Sequence, residues 1–151
     1  MSPLSDSGEA RTRLFVLLRL ATVALLVPLH EIQSLESVED IDKTRRAGSS
    51  AGALRRGDSW VSVFCLSDNL ESQPDLPAAF RMCAILATGG AVVGLACHTV
   101  SSVDDAVLTH HPLPTCMRTT HSPIRSLAKQ GERVYCRTTV ADLLPSLEQT
   151  P

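Results

Sequence analysis

Aromatic side chains are scarce in this sequence: Phe15, Trp60, Phe64, Phe80 and Tyr135 are the five in 151 residues. Aromatics bury the most area per residue, so a core must lean on Leu, Val and Ala. Lysine is almost missing too, with two against twelve arginines. Fourteen basic and sixteen acidic residues leave a net charge of -2, without the chain-wide basic footprint of a nucleic-acid binder. Nucleic acid is not an expected partner. At 20% charged and 44% hydrophobic residues, the chain is too apolar to be wholly disordered.

Cysteine pairing motifs are also lacking. Cys65, Cys83, Cys97, Cys116 and Cys136 are odd in number and contain no CxxC pair. That removes the usual anchor of a structural zinc site and the even count of a disulfide framework. No GxSxG elbow frames a serine, and the Gly89-x4-Gly94 spacing is followed by Leu95-Ala96, not by the Lys-Ser/Thr that a phosphate loop requires. Asp104 and Asp105 are adjacent, and on a helix their side chains diverge by about 100°. No nucleophile, base and oxyanion donor assemble at recognisable spacing, so the expectation is a chain that is not an enzyme.

What the sequence has is apolar runs. Residues 14–29 (LFVLLRLATVALLVPL) are broken only by Arg19 and Pro28, and follow Arg11 and Arg13. They read as a signal, an anchor or a buried helix. Residues 82–100 (MCAILATGGAVVGLACHTV) carry no formal charge. As a helix they would be about 28 Å long, close to the hydrocarbon thickness of a bilayer. Within them Gly90-x-x-x-Gly94 matches a membrane helix-dimer pattern, with Ala87, Gly90 and Gly94 as the packing face.

Elsewhere, 31–46 reads as a helix by charge order, acidic residues preceding Lys43, Arg45 and Arg46. Residues 47–58 read as a flexible linker. The run WVSVFCL (60–66) is a strand between Gly57-Asp58 and Ser67-Asp68-Asn69, and 133–140 is a second short strand. The paired arginines 45–46 and 55–56 read as solvated or facing lipid headgroups. His98, His110, His111 and His121 fall with Cys97, Cys116 and Cys136 inside residues 97–136. The spacing His111-x4-Cys116-x4-His121 suits Zn²⁺, since imidazole and thiolate are its ligands.

The fold expected from these features is mostly α with long irregular segments. It has hydrophobic helices at 14–29 and 82–100 and short strands at 60–66 and 133–140; the alternative is a small soluble α+β domain. The organisation follows: a leader or anchor at 1–29, a charged helix and linker at 30–58, a strand and transmembrane segment at 59–100, and a polar tail at 101–151. The expected function is a small non-enzymatic, membrane-located protein. Its partners are lipid and a second copy through 82–100, and it needs no cofactor. One alternative is a cytoplasmic protein with zinc held by His111, Cys116 and His121. Another follows from codon number: the six-codon residues Leu, Ser and Arg make up 49 of 151 positions, a share that a reading frame under little selection would approach.

Overall fold

The computed structural model describes residues 13–118 and 122–147, and the apolar runs in it are β-hairpins. Strands β1 (Leu14–Arg19) and β2 (Ala24–Pro28) fold onto each other from the first run. Strands β7 (Met82–Thr88) and β8 (Ala91–Cys97) do so from the second, with Gly89 and Gly90 alone in the turn. Both glycines have positive φ, 50° and 89°, which a two-residue hairpin turn of the right twist demands. Two adjacent glycines therefore end a strand here.

The remaining strands are β3 (Ile32–Ser37), β4 (Gly52–Arg56), β5 (Ser59–Leu66), β6 (Ser72–Gln73), β9 (Thr99–Asp104), β10 (Thr109–Pro112), β11 (Ser126–Gln130) and β12 (Arg133–Arg137). One sheet has the order β10-β11-β12-β2-β1-β9; the other has β3-β7-β8-β5-β4, with β6 added to β5. Neighbours are antiparallel except β12 with β2 and β5 with β8. One helix, α1 (Val140–Leu147), follows β12.

This corrects the mostly α expectation. The helix expected over 31–46 is a short 3-10 turn, the edge strand β3 and a second 3-10 turn. Its apolar residues step by three, which gives no lasting helical face, and β3 instead pairs along β7. The linker expected over 47–58 contains β4. The strand at 60–66 lies within β5, and the one at 133–140 ends at Arg137.

Both sheets roll. In the first, β9 and β10 are opposite edges yet are joined by residues 105–108 alone. A flat six-stranded sheet would separate those edges by about 24 Å, whereas that connection reaches at most about 18 Å. In the second, Arg56 on edge β4 donates from Nη1 to Gln33 Oε1 on edge β3 at 2.6 Å. Asp42 and Ala53 exchange backbone bonds at the other end of β4.

Rolling explains why the runs are apolar throughout. Phe15, Leu17, Ala24 and Leu26 pack with Val103, Ala128 and Tyr135 in a small core of their own. Their neighbours Val16, Leu18, Leu25 and Val27 turn the other way, into the large core shared with the second sheet. In β7, Cys83, Ala84, Ile85 and Leu86 are all fully buried. Strands buried on both faces lose their period-two alternation.

The helix joins the halves. Val140, Leu143 and Leu147 are buried at i, i+3 and i+7, against β7. Thr139 caps its start, accepting from the Asp142 amide at 3.2 Å and donating to Asp142 Oδ2 at 2.9 Å. Glu31, itself buried, accepts from the Val140 amide at 2.9 Å across 109 residues of sequence. Without that carboxylate a buried N–H at the helix start loses its partner. Glu31→Ala is expected to cost about 1–3 kcal/mol in urea denaturation, and Glu31→Gln, which keeps an acceptor oxygen, less.

Candidate docking cleft at the mouth of the second sheet

The hairpin turns Gly57-Asp58 and Gly89-Gly90 lie at the same end of the second sheet, where Arg56 meets Gln33. There the rolled strands open into a cleft of about 700 Å³ lined by Gln33, Glu36, Arg55, Arg56, Trp60 and Val92, among others. Trp60 is 40% exposed and Val92 38%, although large apolar side chains normally bury.

Electrostatics at the cleft are lopsided. The Arg45 guanidinium stacks over the Trp60 ring at 3.9 Å, a cation–π contact. Asp42 holds Arg45 in place, with 3.7 Å between Oδ2 and Nε. The Thr44 hydroxyl and then its amide hold the Asp42 carboxyl below its ordinary range, against an opposing effect of burial, and Arg45 adds least. Asp42 thus stays ionised under its arginine. Arg55 donates only to the Gly57 carbonyl at 3.2 Å, and Arg56 to the neutral Gln33. Among the described residues neither has a carboxylate within 4.0 Å. Glu36, the acid in the lining, accepts from the Ser34 hydroxyl at 2.9 Å.

The residues singled out from sequence are scattered. Ala87 sits half-buried on β7, Gly90 in the exposed turn and Gly94 buried on β8; no helix carries them. Among the described residues no helix is long and apolar enough to cross a membrane. Both apolar runs form β-hairpins, so the spanning helices expected at 14–29 and 82–100 are not there; this overturns self-association through a spanning 82–100 helix and the membrane protein, lipid partner and membrane location that rested on those spans. His111 lies exposed on β10 and Cys116 exposed in a 3-10 turn, while His121 lies outside the described residues. Among the described residues no three His, Cys, Asp or Glu side chains converge as metal ligands would.

His110 has acid-base neighbours but no free nitrogen. Arg137 can only donate, so Nδ1 accepts from it at 3.3 Å, and the Nε2–H points to Asp105. The thiols of Cys83 and Cys97 are buried, and burial above all pushes each up to about 12, with Cys97 adding to it at Cys83 and Cys65 at Cys97. They are inert as nucleophiles at neutral pH.

From sequence Trp60 reads as one more strand residue, and the arginine pairs as solvated or facing lipid headgroups. A lone tryptophan preceded by two arginine pairs was the available signal, since Trp and Arg are the residues enriched where proteins bind. Its meaning depends on the roll that brings β3 beside β4.

By sequence, no protein family and no curated protein matches the chain. By structure, it is similar to the scaffolding protein TtCheW from Thermoanaerobacter tengcongensis, with a TM-score of 0.67 at 15% identity. The match covers 93% of this chain and 97% of that one. At that identity the likeness is one of architecture, and the two rolled sheets with their joining helix form a CheW-like fold.

Proposed function

We propose that this chain is a CheW-like scaffolding protein of chemotaxis signalling, which binds chemoreceptors and the kinase CheA and catalyses nothing itself. The observation that carries this reading is the extent of the structural match, which spans nearly all of both chains. Fold alone does not fix function, so the surface must supply the rest. A scaffold needs persistent docking surfaces rather than reacting groups. Trp60 and Val92, beside Arg55 and Arg56 that have no carboxylate partner among the described residues, have the composition of such a surface. The reading carries a cytoplasmic place of work, at the inner end of receptors.

Reconstitution tests it. Receptor cytoplasmic fragments arrayed on vesicles should retain CheA only when this chain is added, at micromolar concentrations. Failure to sediment with either partner would overturn the proposal.

A further inference from the structure

The scaffold reading says that proteins dock on this chain, not where or by what chemistry. Resting on that reading, we propose that the cleft at the mouth of the second sheet takes an acidic segment of a protein partner. Its carboxylates pair with Arg55 and Arg56, and an apolar residue of the same segment seats against Trp60 and Val92.

Three observations select this occupant. Two guanidiniums at the cleft lack any carboxylate among the described residues, in a chain whose net charge is -2. Arginines left unpaired in an otherwise acidic protein offer planar forks suited to carboxylates. The apolar floor comes next: Trp60 and Val92 are exposed side by side in one concavity. Burying an indole is worth more than any single surface ion pair, so affinity would come from the apolar anchor and selectivity from charge. Last, Trp60 is pre-set. Arg45 stacks over the ring from one side, which removes part of its side-chain freedom before binding. Glu36 on the far wall sets a limit. It would repel a uniformly anionic polymer, and it favours a short segment with an apolar residue over nucleic acid or a lipid surface.

Trp60 is the single tryptophan, so the site carries its own probe. A fluorescein-labelled peptide of repeated Glu-Glu-Leu units should bind saturably by anisotropy and shift the Trp60 emission to the blue. Binding should weaken with added salt. Arg55→Glu should weaken it about tenfold, whereas Arg133→Glu, on β12 of the other sheet, makes the same change in net charge and should leave it within about twofold. Should Arg55→Glu lower the melting temperature, Val92→Glu puts a carboxylate on the cleft floor and makes the same test. A Lys-Lys-Leu peptide that binds equally well would overturn the inference. So would equal losses from Arg55→Glu and Arg133→Glu, or anionic vesicles binding as tightly as the peptide. Wild-type protein that fails to retain CheA yet binds the peptide would overturn the scaffold reading alone. Retention of CheA without peptide binding would overturn the cleft alone.

Discussion

Gly94→Leu is expected to destabilise the protein by at least about 3 kcal/mol, more than most single substitutions do. Gly94 sits in the middle of β8 with a ladder on either side, opposite Ile85 of β7 and Val63 of β5. A Cβ built on it would lie 3.0 Å from Cys83 Sγ, 3.0 Å from Val63 Cγ2 and 3.5 Å from Ile85 Cδ1. Two of those contacts are already tighter than ordinary packing, and neither neighbour is free to leave, because Cys83 and Val63 are fully buried. Alanine alone should cost about 1–2 kcal/mol, within the usual range for overpacking, and the three further carbons of leucine have nowhere to go. For a chain of this size about 3 kcal/mol corresponds to a fall in melting temperature of roughly 6–12 °C. Thermal and urea denaturation would measure it. Gly57→Ala is the companion: φ is 61° but nothing lies within 4 Å, so only backbone strain of about 1 kcal/mol applies. Equal melting temperatures for wild type and Gly94→Leu would mean that β8 does not lie between β5 and β7.

How much of this was legible in the sequence depends on which physical signal each segment carries. The strand at 60–66 was readable because Gly57-Asp58 marks a tight turn before it and Val61, Val63 and Phe64 favour an extended chain. The segment 82–100 was not, because two-sided burial removes the alternation that distinguishes a strand from a buried helix. Nineteen uncharged residues fit one membrane span. They fit equally well two seven-residue strands, a two-residue turn, the single connector His98 and the start of β9. The adjacent glycines decide between these, since a helix interior tolerates them poorly and a hairpin turn uses both positive φ values. The first hairpin has no such mark: its turn is Leu20-Ala21-Thr22-Val23, closed by Leu20 donating to the Val23 carbonyl at 2.8 Å. The cleft lay further out of reach. Arg56 and Gln33 are 23 positions apart and meet only because the second sheet rolls, a long-range property with no local sequence mark.

The two halves of that ambiguity separate in a second experiment, a pair of arginine substitutions three residues apart. Leu95→Arg is expected to abolish folding, and Val92→Arg to be tolerated within about 1 kcal/mol. Leu95 is fully buried in the shared core, opposite Ala84 of β7 and Phe64 of β5. Replacing it removes a packed side chain, at about 2–5 kcal/mol. It also forces a guanidinium into apolar surroundings where nothing can pair with it, at several kcal/mol more. Together these approach the whole stability of an ordinary domain, so the variant should be found in aggregates or give the circular dichroism of an unfolded chain. At Val92, 38% exposed at the cleft, an arginine can turn into solvent, and surface changes of that kind cost little. On a membrane-spanning helix the order would differ: residue 92 lies nearer the middle of 82–100 than residue 95 does, so Val92→Arg would be the more damaging of the two. Soluble, cooperatively melting Val92→Arg beside unfolded Leu95→Arg is the outcome that the rolled sheet requires. The reverse order would remove it.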